Sequence, residues 1–264
     1  MKERFAVIGG DARQAAAGRA LAKAGYEVGG AEQTPIADYL LLPMPLDAQR
    51  AGLTGLLRAA KPGALALGGL VSAEAQAAAR QAGVELVDYF QEALAIRNAV
   101  PTAEGCIGIL LHQRTRTLAG SPLLVTGFGR VGQALAVRLA ALGAVVTLAA
   151  RSPAQRALAQ SLGLKAAPLE QLPALAPGFD TVVNTVPAPV LTRAVLAQLP
   201  PAALIVDLAS RPGGTDFAAA AQLGHTALHA LSLPAACAPD SAGEAAAQTV
   251  LEILQERRKR HEQA

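Results

Sequence analysis

The segment LLVTGFGRVG at residues 123–132 constrains the fold more than any other part of the chain. A short apolar run, typical of a buried strand, ends in glycines and passes at once into a helical apolar stripe from Val131 to Leu142. Gly143 ends that stripe, and residues 144–148 are typical of a second strand. The order strand, Gly-x-Gly-x-x-Gly, helix, strand predicts a dinucleotide-binding turn.

Each glycine has a mechanical role in such a turn. Gly127 permits the tight turn, Gly129 lets the backbone approach a pyrophosphate, and Gly132 lets the helix lie close to the strand. The N-terminus of the following helix then offers unpaired N–H groups and a partial positive charge to the phosphates. Arg130 and Val131, at this N-terminus, are predicted cofactor-binding residues. The alternative is a glycine-rich turn that binds no ligand.

The end of the second strand bears on the choice of dinucleotide. NAD-selective folds usually place an acid about 20 residues after the glycines, where it holds the ribose 2′-hydroxyl. Here Arg151 and Ser152 end the strand, and no acid is present. Both side chains suit a 2′-phosphate, so we predict NADP as the cofactor and keep NAD as the alternative. The simpler interpretation is a solvated Arg151 and a Ser152 that only caps the helix beginning at Pro153.

The composition is that of a globular protein with a large buried interior, because 52% of the residues are hydrophobic and only 16% are charged. The length of 264 residues suffices for two domains. No apolar run reaches the roughly 20 residues of a membrane helix, and the N-terminus lacks a signal-peptide pattern. We therefore predict a cytoplasmic protein that does not bind membranes.

Charge and cysteine content exclude two further ligand classes. Much of the basic excess behind the formal charge of +3 lies in RRKR at residues 257–260, which is typical of a solvated helix end. Cys106 and Cys237 form no metal-ligand spacing. We predict neither a nucleic-acid partner nor a metal site.

Strand-like and helix-like segments alternate along the chain, which predicts an α/β fold with two doubly wound, Rossmann-like parallel sheets. The domains are expected at residues 1–101 and 121–240. A connector helix at residues 102–120 would join them. A final helix at residues 241–260 would pack back on the first domain, as in two-domain dehydrogenases whose cleft lies between the lobes.

Local signals place the ends of several predicted elements. The connector helix is expected to begin near Thr102 and to end near Thr117, and a capping box at residues 241–244 would open the final helix. A further helix is predicted over residues 47–60. Ligands of such sheets gather beyond the C-terminal strand ends, so Gly9–Gln14, Pro43–Pro45 and Gly68–Gly69 are expected on one rim.

Longer blocks of the sequence resemble one known family. They are IGGDARQ at 8–14, VPTAEG at 100–105, the glycine turn at 127–132, NTVP at 184–187 and DLASRPGGTDF at 207–217. In collinear order over essentially the whole chain, these blocks resemble the family formed by the A subunits of dipicolinate synthase, from endospore-forming bacteria.

The resemblance implies a dipicolinate synthase activity during sporulation. A dihydrodipicolinate-level intermediate, derived from 4-hydroxytetrahydrodipicolinate, would be oxidised to pyridine-2,6-dicarboxylate with NAD(P). The resemblance also implies a flavoprotein-like partner, the B subunit of the same synthase, and it leaves a homo-oligomer open.

The chain departs from the family pattern before its last helix. The usual Gly-Leu-Pro is Ser232-Leu233-Pro234 here, and the usual Ala-Pro-Lys is Ala238-Pro239-Asp240. Because Asp240 replaces a cation, no anion-binding role is assigned to this position.

The nicotinamide ring is expected over the loop that leaves the strand next to the phosphate-binding one. The predicted cofactor-binding residues of this loop are Asn184, Thr185, Val186 and Pro187. Asn184 is also predicted to take part in catalysis, and the alternative for it is an ordinary turn asparagine.

Oxidation of a ring dicarboxylate requires cations for the carboxylates and an acceptor for the ring proton. Arginine matches a carboxylate bidentately, so Arg211 and Arg13 are the predicted substrate ligands. The segment of Arg13 also contributes Asp11 and Gln14 as predicted substrate-binding residues, although Asp11 could simply cap a helix.

The start of the predicted connector helix supplies two more candidates. Thr102 is a predicted hydroxyl donor to substrate, and Glu104 is the predicted catalytic base. A carboxylate at a helix N-terminus is also what plain capping predicts.

Two other functions remain open. One is a dehydrogenase of another small hydroxy or imino carboxylate. Hydroxy-acid dehydrogenases need a cleft histidine beside an acid, and His112, His225, His229 and His261 offer no convincing one. The other is a non-catalytic subunit that holds cofactor or substrate for its partner.

Overall fold

The structure is a computed structural model that describes residues 2–47 and 52–263. Its strands are β1 (Arg4–Val7), β2 (Glu27–Gly29), β3 (Tyr39–Leu41), β4 (Leu65–Gly68), β5 (Glu85–Asp88), β6 (Pro122–Thr126), β7 (Val145–Ala150), β8 (Lys165–Pro168), β9 (Thr181–Asn184), β10 (Leu204–Asp207) and β11 (Thr226–His229). Its helices are α1 (Ala12–Lys23), α2 (Leu53–Arg58), α3 (Ala73–Gln81), α4 (Glu92–Gln113), α5 (Arg130–Ala141), α6 (Pro153–Ser161), α7 (Leu172–Leu175), α8 (Arg193–Leu196), α9 (Phe217–Gln222), α10 (Leu233–Cys237) and α11 (Pro239–Glu262).

The chain divides into two compact units. Unit 1 consists of residues 1–98 and 238–264, and unit 2 is the continuous stretch 99–237. Each unit contains its own parallel sheet with helices on its faces, so the predicted fold class of two Rossmann-like α/β domains is confirmed.

Unit 1 has the strand order β2-β1-β3-β4-β5, with neighbouring strands parallel. Successive residues of the central strands face opposite sides. Phe5 joins the buried cluster that also contains α11 side chains such as Val250, whereas Ala6 joins the cluster on the other face. The order reverses between β1 and β3, and open α/β sheets bind ligands at such a switch point.

Helix α11 packs on α1 within unit 1. A Cβ on Gly243 would overlap the Arg13 carbonyl oxygen and would lie 2.7 Å from the Ala16 Cβ. Only glycine allows the two backbones to approach this closely. Further along, the Arg97 guanidinium binds the Glu252 carboxylate bidentately, at 2.9 and 2.6 Å.

Unit 2 has the strand order β11-β10-β9-β6-β7-β8, again with neighbouring strands parallel. If β6–β11 are counted as strands 1–6 of this unit and the sheet is read from β8, the order is 3-2-1-4-5-6. This is the strand order of dinucleotide-binding folds. The strand before the glycine turn, β6, is central, and the switch point lies between β6 and β9. Leu123 and Val125 face one buried cluster and Leu124 faces the other.

The predicted bounds of two helices are wrong. Helix α4 begins at Glu92 and ends at Gln113, and Pro101 lies inside it. Proline is common at a helix start, which is why the sequence predicts one there, but the apolar pattern continues before it. The last helix begins at Pro239, after Ala238, and its first turn has no side-chain cap, so the predicted capping box at residues 241–244 does not open it.

Helix α4 is long and apolar enough to cross a membrane by length and composition alone. Core helices of soluble proteins pass the same test. Leu94 lies in the core of unit 1, and Cys106 and Leu110 lie in the core of unit 2, as expected of a core helix.

The predicted helix over residues 47–60 lies partly outside the described residues, because 48–51 are not described. In the part that follows, α2 spans Leu53–Arg58.

Candidate functional site

The glycine turn of unit 2 packs against the loop that follows β9. Gly127 has a φ of 88°, and a Cβ there would lie 2.5 Å from the Thr185 hydroxyl oxygen and 2.8 Å from a Val186 methyl. A Cβ on Gly132 would overlap the Gly127 carbonyl oxygen. These two glycines therefore allow the turn to touch both the neighbouring loop and the first turn of α5.

Gly129 faces the other way, into open space. It is the N-cap of α5 and makes no side-chain cap. Apart from Gly129 itself and the adjoining backbone, no atom of the described residues lies within 4 Å of the position of a Cβ on Gly129. The amide groups of Arg130 and Val131 open the helix behind it, which is the arrangement that binds a pyrophosphate. The residues present thus fit the phosphates of a dinucleotide.

The end of β7 carries the residues predicted to select the nucleotide. Arg151 is exposed, and among the described residues no side chain bonds to its guanidinium. The Ser152 hydroxyl oxygen accepts a 3.4 Å hydrogen bond from the Gln155 amide and so caps α6, as the simpler interpretation predicted. Its own proton remains available to a phosphate. Arg156 donates to the Ala150 and Arg151 carbonyls at 2.8 and 2.7 Å, which fixes the backbone here.

A row of polar side chains crosses the C-terminal edge of the unit 2 sheet. Thr126, Asn184 and Asp207 end β6, β9 and β10 at paired register positions, and all three are fully buried. The Thr126 hydroxyl donates to the Asn184 Oδ1 at 2.6 Å, and the Asn184 Nδ2 donates to the Asp207 Oδ1 at 2.8 Å. Asn184 also bonds the amide and the carbonyl of Val186, both at 3.0 Å.

Asn184 is predicted to take part in catalysis, and its geometry favours a structural role. Its amide is buried and makes four hydrogen bonds within the protein, which shape the loop. The exposed member of the same loop is Pro187, and Thr185 donates to the Thr126 carbonyl at 2.8 Å.

Arg211 lies in the loop that follows β10. Asp207 holds both ends of that loop, because its carboxylate accepts from the Ala209 amide at 3.0 Å and from the Gly214 amide at 2.9 Å. Arg211 itself is exposed, and none of the described residues bonds to its guanidinium. A fixed backbone therefore presents an arginine fork that is open to a carboxylate.

The predicted site in unit 1 lies at the switch point between β1 and β3. The Arg13 Nη2 donates to the Asp11 carboxylate and to the Met44 carbonyl, both at 2.9 Å. The Arg13 Nε is buried and has no partner among the described residues. Asp11 caps α1 through the Gln14 amide at 3.1 Å, and Gln14 is buried and donates to the Ile8 carbonyl at 3.0 Å.

These residues share a small pocket with Met44, which belongs to the predicted rim segment Pro43–Pro45, and with side chains that the sequence does not single out. Besides Asp11, Arg13 and Gln14, the pocket is lined by Met44, Tyr89, Ala242 and Ala246. The buried Tyr89 hydroxyl donates to the Leu42 carbonyl at 3.2 Å, and burial raises the Tyr89 pKa above its usual range. Tyr89 follows a strand as an ordinary core aromatic would, so no sequence signal marks it.

The surroundings of the Asp11 carboxyl change its pKa. Partial burial opposes its ionisation, but hydrogen bonds from Arg13 and from the Gln14 amide outweigh burial and lower the pKa of Asp11. The carboxylate is therefore a permanent partner of Arg13 at neutral pH, and it orients the guanidinium.

Thr102 and Glu104 are predicted in the first turn of a helix, but they lie in the middle of α4. Glu104 is 60% exposed, and its carboxylate lies 3.7 Å from the Arg138 Nε. Capping therefore does not account for Glu104. The neighbouring Gly105 packs against Cys237, whose thiol bonds the Leu233 carbonyl at 2.7 Å.

Other polar residues have structural partners. Asp240 forms an ion pair with Arg19 at 2.6 Å, and His225 bonds the Leu196 carbonyl at 2.9 Å. Within residues 2–47 and 52–263, no group of three or more His, Cys, Asp or Glu side chains is arranged to hold a metal ion.

An open pocket of about 260 Å³ lies elsewhere in unit 2. It is lined by Leu169, Glu170, Leu172, Pro173, Pro189, Val190 and Val195. This lining contains no cation, so the pocket does not match a dicarboxylate.

A parallel α/β unit with a glycine turn and a helix N-terminus at its switch point defines a dinucleotide-binding protein, and the comparisons with known proteins make it an NAD(P)-dependent oxidoreductase. Residues 103–220 match the family model of the D-isomer specific 2-hydroxyacid dehydrogenase NAD binding domain, which establishes a nicotinamide cofactor.

The particular family follows from three matches. The chain is 39% identical over 189 residues to the A subunit of dipicolinate synthase from Bacillus subtilis (strain 168), and the aligned part spans 71% of this chain and 64% of that protein. The crystal structure of the dipicolinate synthase A chain from Bacillus subtilis is 31% identical, with a TM-score of 0.87 and 98% of each chain covered. The corresponding structure from Bacillus halodurans is 28% identical, with a TM-score of 0.87, and the match covers 96% of this chain and 97% of that one. The chain belongs to the family of dipicolinate synthase A subunits.

Proposed function

We propose that this chain oxidises a dihydrodipicolinate-level intermediate, derived from 4-hydroxytetrahydrodipicolinate, to pyridine-2,6-dicarboxylate with NADP during sporulation. The observation that carries the proposal is the Asp207-anchored loop, in the same unit as the dinucleotide turn. This loop presents an exposed Arg211 guanidinium to which no described residue bonds. The names of its relatives supply the substrate class.

The reaction removes a hydride and a proton from the ring and leaves an aromatic product, so the residues mainly bind and orient. The bound nicotinamide supplies the hydride acceptor. In unit 2, Arg211 is the proposed bidentate ligand of a substrate carboxylate. In unit 1, Arg13, whose Nε has no partner among the described residues, is a further proposed carboxylate ligand. Asp11 and Gln14 fix the Arg13 segment, and Thr102 donates its hydroxyl to the substrate.

Glu104 is the proposed proton acceptor. Its carboxylate is 60% exposed and is accessible to a ligand. A positioned base of this kind contributes roughly 10²–10⁴ in rate.

NADP is proposed over NAD because Arg151 is exposed, with no bond to its guanidinium in the described part of the chain, and because the Ser152 proton is available. Both groups would bind the 2′-phosphate. Among the loop residues predicted to bind cofactor, Thr185, Val186 and Pro187 would lie beside the nucleotide. The Asn184 side chain holds their backbone through its two hydrogen bonds to Val186.

The proposed partner is a second polypeptide of the same synthase, because the relatives are named as its A subunits. We propose a cytoplasmic location and a flavoprotein-like B subunit. A homo-oligomer of this chain is compatible with that assembly.

The test is to incubate the purified chain with freshly prepared 4-hydroxytetrahydrodipicolinate and NADP, with and without the flavoprotein-like partner. Near-ultraviolet absorbance of the pyridine product and NADPH formation should rise together with the chain alone. Product formed only with the partner present would favour a non-catalytic binding role. No product in either case, with turnover of a hydroxy acid, would overturn the proposal in favour of another carboxylate dehydrogenase.

A further inference from the structure

His229 ends β11, directly opposite Asp207 in the sheet register. Its imidazole stacks on the Phe217 ring, with centroids 5.2 Å apart and an interplanar angle of 28°. Its Nε2 lies 2.8 Å from the Ala209 carbonyl oxygen. Stacking and the hydrogen bond together fix the ring in one orientation.

His229 contacts the Arg211 loop on both sides of the arginine. Ala209 precedes Arg211 by two residues, and Gly213 follows it by two. Gly213 has a φ of 90°, and a Cβ there would lie 3.3 Å from the His229 Nε2 and 3.1 Å from the Asp207 Oδ2. The Arg211 loop thus contacts the edge of the His229 imidazole and lies against both this ring and the Asp207 carboxylate.

Asp207 and His229 hold complementary groups of this loop. Asp207 accepts from the amides of Ala209 and Gly214, whereas His229 binds the Ala209 carbonyl. Because a carbonyl only accepts, the His229 Nε2 must carry the proton.

We propose that His229 is a positioning residue that fixes the Arg211 loop in the shape that binds a substrate carboxylate. This inference rests on the proposed role of Arg211 as a carboxylate ligand. A bidentate fork requires placement within about 0.5 Å, which a loop achieves only when its backbone is bonded from several sides.

The experiment compares variants that remove or keep the Nε2 donor. His229→Phe and His229→Met lack the donor, and His229→Gln keeps an N–H of similar reach. His225→Phe is the matched control, since the His225 Nε2 bonds the Leu196 carbonyl at 2.9 Å, at a site outside the Arg211 loop. Substrate KM, the Kd of NADP, Tm and the exchange of amide hydrogens in residues 208–214 are measured for each.

We expect His229→Phe and His229→Met to raise substrate KM about fivefold, because that change in binding corresponds to the loss of one hydrogen bond. The Kd of NADP should not change. His229→Gln should restore KM to within about twofold of the native value, and His225→Phe should lower Tm without changing KM. Amide exchange in residues 208–214 should accelerate in the donor-free variants alone.

Unchanged amide exchange in both donor-free variants would overturn the positioning role, whatever the substrate. Accelerated exchange in a chain that binds no dicarboxylate would support the positioning role and overturn the proposed function instead. Accelerated exchange with unchanged KM would overturn the link between the loop and the substrate.

Discussion

The buried amide of Asn184 donates a 2.8 Å hydrogen bond to the carboxylate of Asp207 on the neighbouring strand. Asn184 shapes the loop predicted to lie beside the nicotinamide, and Asp207 ties down both ends of the loop that carries Arg211. One hydrogen bond therefore joins the scaffold of the proposed cofactor loop to that of the proposed substrate loop.

Arg151→Asp should weaken NADP binding about tenfold or more, because a charge-assisted hydrogen bond is lost and a repulsion to the 2′-phosphate replaces it. NAD binding should change far less. Fluorescence titration with NADPH and NADH measures both affinities. Arg193→Asp, at another exposed position of unit 2, is the control. Equal losses for the two nucleotides would refute the 2′-phosphate role.

Gly129→Ala and Gly132→Ala should separate ligand binding from folding. A methyl on Gly129 enters open space and should weaken nucleotide binding while Tm stays near the native value. A methyl on Gly132 overlaps the Gly127 carbonyl and should destabilise the fold by about 1–3 kcal/mol. Thermal unfolding and nucleotide titration of both variants test this. Native affinity in Gly129→Ala would argue against a pyrophosphate at this turn.

Glu104→Gln should lower kcat by at least about 100-fold if the carboxylate accepts the ring proton. Arg138→Met removes the ion-pair partner at 3.7 Å but leaves the carboxylate in place, so its kcat should stay near the native value. Steady-state assays of dipicolinate formation compare the two. Similar losses in both variants would show that the ion pair matters and that Glu104 is not the base.

Gly243→Ala should destabilise unit 1 by about 1–3 kcal/mol, because the added methyl overlaps the Arg13 carbonyl and a backbone cannot yield as a side chain does. Gly108→Ala, on an exposed part of α4 with open space around it, should raise stability by about 0.5–1 kcal/mol. Urea unfolding measures both changes. A neutral Gly243→Ala would mean that α1 and α11 are less closely packed.

Asp11→Asn should lower stability by up to about 1 kcal/mol at neutral pH, since it keeps a capping oxygen but loses the charge facing Arg13. The pKa of Asp11 is lowered in the folded state, so its contribution is present above the unfolded-state pKa and disappears as pH falls through the folded-state pKa. The difference between Asp11→Asn and the native protein should therefore vanish in acid. In an Arg13→Met background the difference should shrink, because only the backbone hydrogen bonds would then favour the Asp11 carboxylate. Urea unfolding across the acid range checks both statements.

The local pattern around Gly127, Gly129 and Gly132 is sufficient to predict the dinucleotide turn. The tight turn, the open approach to a phosphate and the close contact between turn and helix all depend on residues within a few positions of one another. Alternating elements likewise predict the parallel sheets. The start of α4 is predicted wrongly because Pro101 satisfies a start signal and also fits inside a helix.

The structural role of Asn184 could not be read from the sequence. It depends on β9 lying between β6 and β10, and strand order is a property of the whole fold. The role of His229 is hidden for the same reason, since its partner Ala209 lies on a neighbouring element, 20 residues away. Tyr89 in the unit 1 pocket carries no local signal at all.

Helix α11 supplies Ala247, Val250 and Leu254 to a core built mainly from the first 98 residues. Unit 1 is therefore the first unit to be started during synthesis and the last to receive all its core residues. On the ribosome, the nucleotide-binding stretch 99–237 emerges whole and can fold as one continuous piece. The earlier stretch must keep its apolar sheet face covered by other means until translation reaches the last helix. Nascent chains halted before Ala246 should therefore be the species that chaperones and proteases recognise.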